Sequence, residues 1–209
     1  VFNILHFAFF IQLDAQLALV LNGAFRNPLF DVAMPFLDRN VNWMGPLLLV
    51  WLGVMIWGGK RGRIAGVLAV VVVILTDQIS SGLVKPLVER IRPCNVIPGL
   101  HYWSKEGWIV IPDVIEVVYK RSFSFPSSHA ANSMGQALWW ALFYPAGRWW
   151  YLGGALVIGY SRIYIGVHYP GDVIGGWIIG AVSFGIVWWV GSKAGWVRNP
   201  NPNGARFAA

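Results

Sequence analysis

Charge and cysteine are scarce in this chain of 209 residues. Asp, Glu, Lys and Arg make up 12% of it, against about 25% in soluble domains. The single cysteine, Cys94, excludes an internal disulfide and any cysteine-rich metal centre. It reads as a passive loop thiol. Acids are scarcer than bases, 9 against 16, which leaves a net charge of +7. The bases form no continuous stripe or arm, so nucleic acid is not the expected partner. Most of them fall between apolar runs, where lipid headgroups and an anionic substrate fit better.

What the chain has in abundance is apolar surface. Hydrophobic residues are 56% of it, with 13 Trp and 24 Gly, and the mean hydropathy is +0.56. Interfacial indoles and small packing residues suit membrane helices. The expected fold class is all-α, a polytopic membrane helix bundle of about five to six spans. Five stretches approach bilayer length: Trp43–Trp57, Ile64–Val84, Ala130–Tyr144, Trp149–Val167 and Val173–Val190. The last contains Gly176-x3-Gly180 and then Gly185, a small-residue face for close helix approach. Residues 2–21 carry His6, Gln12, Asp14 and Gln16 with no basic stretch before them. That argues against a secretory signal and for an interfacial or partly embedded helix. One domain is expected over 1–197, with 1–42 as its N-terminal region and 93–125 as an extracytoplasmic loop. The polar, turn-rich tail 198–209 is expected to be disordered.

Orientation follows from the basic residues between spans. Lys60, Arg61, Arg63, Arg148, Lys193, Arg198 and Arg206 all fall on one side if there are five spans, and that side is expected to be cytoplasmic. Residues 85–129 and 168–172 then face outward. The long segment 93–125 interleaves Tyr102, Trp103, Trp108, Tyr119, Phe123 and Phe125 with Lys105, Lys120 and Arg121. That mixture fits a stretch in the headgroup layer, near where a substrate enters, or a lid over the helix ends. The β-branched run Trp108–Tyr119 suits a short hairpin.

Three fragments on that outward face carry chemistry: Lys85 with Arg92-Pro93; Pro126-Ser127-Ser128-His129; and Ser161-Arg162 with His168 and Asp172. A phosphate ester repels an incoming nucleophile, so its cleavage needs cations, a positioned nucleophile and a proton donor. Lys85 and Arg92 are seven residues apart, which lets them share a helix face. Pro93 disfavours helix at Arg92 and turns the chain away. His168 and Asp172 are spaced by four, either stacked on a helix face or set at a helix N-terminus. A carboxylate on one ring nitrogen would leave the other free to attack phosphorus. His129 follows two serines at the expected start of a helix, where free N–H groups favour an anion and His129 can protonate a leaving oxygen. His6 and His101 read as structural. A metal is not expected, because three cations beside so few carboxylates would repel one. Asp77, inside the second span, reads as a support for Lys85 or a neighbouring helix.

These fragments, K-x6-R-P, P-S-S-H and S-R-x5-H-x3-D, resemble the signature motifs of the type 2 phosphatidic acid phosphatase superfamily. That superfamily also includes soluble bacterial acid phosphatases and vanadium haloperoxidases. The resemblance runs from about Asp77 to Gly176, and Ser128 stands where the family usually has glycine. It implies that His168 forms a phosphohistidine, Asp172 orients it and His129 is the general acid. Lys85, Arg92, Arg162, Ser127 and the backbone at Ser128 would bind the phosphoryl oxygens, without a cofactor. The expected activity is a metal-independent lipid phosphatase in the plasma membrane, with its site facing outward. Undecaprenyl diphosphate is the favoured substrate, before phosphatidylglycerophosphate, phosphatidic acid or lipid A 1-phosphate. A phosphotransferase uses the same chemistry. A non-catalytic lipid-phosphate binder or transporter would not need His129, His168 and Asp172.

Overall fold

A computed structural model describes residues 2–114, 119 and 122–197. Its eight α-helices are α1 (Phe2–Gly23), α2 (Pro28–Asp38), α3 (Asn40–Trp57), α4 (Gly59–Asp77), α5 (Lys85–Val88), α6 (Ser128–Phe143), α7 (Arg148–Tyr164) and α8 (Pro170–Lys193). A π-helical segment, Gln78–Val84, joins α4 to α5. The fold is mostly helical, as its apolar periodicity requires. The expected helix bundle carries, among the described residues, one antiparallel hairpin, β1 (His101–Ser104) with β2 (Gly107–Val110).

Helices occupy all five stretches expected to span. Asn40–Trp57, the run Gly59–Asn95 and Pro170–Lys193 are long and apolar enough to cross a bilayer. At 16 and 17 residues, α6 and α7 are shorter. No residue of α3 is buried, although Leu47, Leu48, Leu49 and Val50 lie along it. Such a surface is stable against lipid rather than water. The tail 198–209 lies outside the described residues.

The central helix is α6, which packs against α4, α7 and α8. Its contact with α8 is close because glycines meet backbone there. A Cβ added at Gly180 would lie 2.2 Å from the Ala131 carbonyl oxygen, and one at Gly176 would lie 2.4 Å from that of Ser127. Gly185 faces open space and takes no part in this contact. Trp139 of α6 is fully buried and donates its Nε1–H to the Ala65 carbonyl of α4 (2.9 Å). These contacts bring the C-terminal ends of α4 and α7 to the same end of the bundle as the starts of α6 and α8.

The described hairpin begins before the stretch Trp108–Tyr119, of which residues 115–118 lie outside the described residues, and turns at Lys105-Glu106. Gly107, with φ of +124°, closes that turn in a backbone region that β-branched residues avoid. The hairpin covers the helix ends rather than standing free. Trp103 N–H donates to the Ile165 carbonyl (3.1 Å), and Trp108 Nε1–H donates to the Asp31 carbonyl (3.0 Å). Asn22 of α1 binds both partners, reaching the carbonyls of His101 (2.9 Å) and Tyr164 (2.7 Å). Lys120 and Arg121 lie outside the described residues.

Candidate active site

His168 lies in the short connection between α7 and α8, and Asp172 is the third residue of α8. The two therefore meet at a helix N-terminus. Asp172 Oδ2 accepts the Tyr169 N–H (2.9 Å), the Ser124 hydroxyl and, at 3.3 Å, His168 Nδ1. Both side chains are buried, His168 at 2% exposure and Asp172 at 0%. Burial, and then the charges of Arg92, Arg162, Lys85 and His129, hold the His168 imidazole well below its ordinary value. All three predicted cations and the second histidine thus act on one ring.

Arg92 fixes the tautomer of that ring. Its Nη1 is 3.1 Å from His168 Nε2 and also donates to the Val167 carbonyl (2.9 Å). A guanidinium only donates, so Nε2 must be the acceptor, and the ring proton sits on Nδ1, facing Asp172. The Nε2 lone pair then points into the cations. Nε and Nη2 of Arg92 bind the Ser122 carbonyl (2.9 Å) and hydroxyl (2.8 Å), and its plane covers the Tyr119 ring at 4.2 Å. Lys85 and Arg92 do not share a helix face as the spacing suggested. The helix stops at Val88, because Glu89 takes a left-handed conformation (φ 50°), and Arg92 is already extended. The chain leaves the helix at Glu89, three residues before the Arg92 position that Pro93 restricts. Lys85 is buried, and its ammonium has no hydrogen-bond or ion-pair partner among the described residues.

Ser127 caps α6, accepting the Ala130 N–H, and its own N–H donates to the Asp172 carbonyl (2.9 Å). The start of α6 is thus tied to the start of α8. His129 Nε2 is 3.0 Å from Asn40 Oδ1. Arg162 is buried at the end of α7 and pairs with Asp38. Ser128 uses its hydroxyl away from the imidazoles, on Ser81 Oγ (2.9 Å) and Ser80 Oγ (3.3 Å) of the π-helical segment. Ser81 in turn donates to Asp77 Oδ1 (3.2 Å). The side chain that replaces the usual glycine thus anchors the segment leading to Lys85, and Asp77 stands at the end of that chain.

Several residues at the site were not read from sequence. Arg90 pairs with Asp172 Oδ1 (2.8 Å) and with Asp14 Oδ2 (2.7 Å). Ser124 completes the shell of Asp172, and Asp38 and Asn40 come from the junction of α2 and α3. Asp14 did give a signal, a carboxylate in an apolar helix. Arg90 occupies an unspecified position of K-x6-R-P, and the others carry none. Among the described residues, no group of three or more His, Cys, Asp or Glu side chains converges on a point that could hold a metal ion.

Such a site sets a neutral imidazole, held by a carboxylate, among cations and helix N-termini. It suits an anionic electrophile such as a phosphoryl group. Residues 66–196, most of the chain, match the model of the PAP2 superfamily. The chain belongs to that superfamily. It resembles the lipid A 4'-phosphatase of Bacteroides thetaiotaomicron, 30% identical over 88% of this chain and 80% of that one. It also resembles the undecaprenyl-diphosphatase of Sulfolobus acidocaldarius, 33% identical over 60% of this chain and 55% of that one. In fold it matches the crystal structure of a transmembrane PAP2-type phosphatidylglycerolphosphate phosphatase from Bacillus subtilis. The TM-score is 0.62 at 23% identity, covering 87% of this chain and 86% of that one. As a PAP2 protein it is a membrane lipid phosphatase, a phosphoric-ester hydrolase whose substrate lies in the bilayer.

Proposed function

We propose that this PAP2 phosphatase removes a phosphate monoester from the sugar headgroup of a lipid A-type glycolipid. The observation that carries the substrate is the reach of the likeness. Similarity to the lipid A 4'-phosphatase extends over 88% of the chain, beyond the family core, whereas that to the undecaprenyl-diphosphatase covers 60%. Undecaprenyl diphosphate, favoured by sequence alone, becomes the second reading, supported by the higher local identity of 33%.

His168 Nε2 attacks phosphorus, forming an N–P bond as the bond to the headgroup oxygen breaks, and that oxygen takes a proton from His129. Asp172 holds the Nδ1 proton and the imidazolium charge. Lys85, Arg92 and Arg162 neutralise the phosphoryl oxygens, helped by the N-terminus of α6 at Ser127 and Ser128. Arg162 must exchange Asp38 for a phosphoryl oxygen when substrate enters. Water, deprotonated by His129, then cleaves the N–P bond and releases phosphate. The site faces the outer side of the plasma membrane, in keeping with the bases that flank its opposite end.

The test is phosphate release by the purified chain in excess chelator. Its substrates are lipid A with 1- and 4'-phosphates, undecaprenyl diphosphate, phosphatidylglycerophosphate and phosphatidic acid. Loss of the 4'-phosphate at the highest kcat/KM is expected. Preference for the diphosphate would move the substrate to the second reading, and dependence on added metal would overturn the chemistry.

A further inference from the structure

Asp172 has two oxygens with different duties. Oδ2 receives three donors, including His168 Nδ1–H, while Oδ1 is held by Arg90 Nη1 at 2.8 Å. The other arm of Arg90 is held by Asp14 Oδ2 at 2.7 Å, and its guanidinium lies 3.7 Å from the centre of the Tyr169 ring. Asp14 Oδ1 also accepts the Gly171 N–H (2.8 Å), one of the free donors at the start of α8. A Cβ at Gly171 would lie 2.7 Å from Asp14 Oδ2, so a side chain there would displace the Asp14 carboxylate from this contact. The Arg90 carbonyl accepts the Ser124 N–H (2.7 Å), and Ser124 donates its hydroxyl to Asp172. Arg90 therefore acts on Asp172 twice, directly and through Ser124.

We propose that Arg90 and Asp14 are positioning residues for the His168–Asp172 pair, so that helix α1 completes the active site. Asp14 lies outside residues 66–196, the part that matches the family model. The inference rests on the reading of His168 as nucleophile. Arg90 supplies the counter-charge that a fully buried carboxylate needs, and its fork fixes the carboxylate's rotation so that Oδ2 meets Nδ1. Asp14 holds the fork in that plane. It also balances the Arg90 charge, so the substrate-facing cations remain Lys85, Arg92 and Arg162. Neither residue touches substrate, so both act on the rate at which Nε2 attacks rather than on affinity.

The experiment uses the full chain in detergent with Arg90→Ala, Arg90→Lys, Asp14→Asn and the double variant Asp14→Asn/Arg90→Ala. Inorganic vanadate binding counts intact sites, and rapid-quench single turnover gives the phosphorylation rate per site. That rate does not depend on the folded fraction. Arg90→Ala is expected to slow phosphorylation about tenfold or more per vanadate-binding site, with KM within about threefold. Asp14→Asn should give a smaller loss in the same step, Arg90→Lys a partial recovery, and the double variant less than the product of the singles. Unchanged phosphorylation rates, or a rise in KM alone, would overturn the proposal. Should Arg90→Ala fail to fold, the near-isosteric Asp14→Asn decides by the same readout. His168→Ala runs alongside. If it turns over normally, the nucleophile reading fails, whereas failure of the positioning role alone leaves that variant inactive.

Discussion

At the scale of single residues, each predicted member of the site carried its own chemical signature at short spacing. His168 with Asp172, Arg92 with Pro93 and Ser127 with His129 were legible because each pairing is local. Residues that reach the site from far along the chain were not. Arg90 and Asp172 are 82 positions apart, and Asp14 and Gly171 are 157 apart. Only the fold brings them together, and a salt bridge across that distance leaves no spacing to read. The state of His168 leads to a pH prediction. Burial and the surrounding cations hold its imidazole well below the ordinary value, so the proposed nucleophile is uncharged at neutral pH. The acid limb of kcat/KM for the free enzyme should therefore fall below pH 6.5. The unfolded chain takes up this proton near pH 6.5 and the folded chain does not, so this group's contribution to stability declines as pH falls through that value. A kcat/KM profile with its acid limb above 6.5 would contradict the assignment.

At the scale of elements, helix existence was written in the apolar runs, while helix ends and irregularities were not. The stop at Val88 depends on Glu89 in a left-handed conformation that glycine would have announced. The π-helical turn at Gln78–Val84 has no compositional mark, yet it sets where Lys85 emerges. The Gly176-x3-Gly180 face was read correctly as a packing surface, and Gly185 was not part of it. Ser128 is the informative departure, because its hydroxyl joins α6 to the π-helical segment through Ser80 and Ser81. Ser128→Gly should therefore keep kcat/KM within about threefold. It should cost about 1 kcal/mol of stability for the lost hydrogen bonds, read as a lower Tm in detergent. By the same chain, Asp77→Asn should reduce stability more than turnover. A loss of turnover at unchanged Tm in either variant would assign these residues to the chemistry.

At the scale of the whole molecule, charge and hydropathy together gave a bundle with one working end, and the helix ends that carry the site do converge. Sequence placed segment 93–125 beside the site without seeing that its hairpin packs under Asn22, Asp31 and Ile165. Those contacts are tertiary and have no local code. The proposed orientation leads to a labelling experiment, helped by the burial of the lone Cys94. A cysteine at exposed Lys105, on the hairpin tip, should react with a membrane-impermeant maleimide in intact cells. One at exposed Lys60, in the first turn of α4, should react only after permeabilisation. The reverse pattern would place the site on the cytoplasmic side.

The proposed chemistry turns on His168 as the nucleophile. Rapid acid-free quenching of the purified enzyme during turnover, followed by peptide mass analysis, measures this directly. Phosphate should appear on His168, labile to acid and stable to base, and His168→Ala should lose about a thousandfold or more in kcat. Phosphate on another residue, or turnover by His168→Ala at the parent rate, would contradict it.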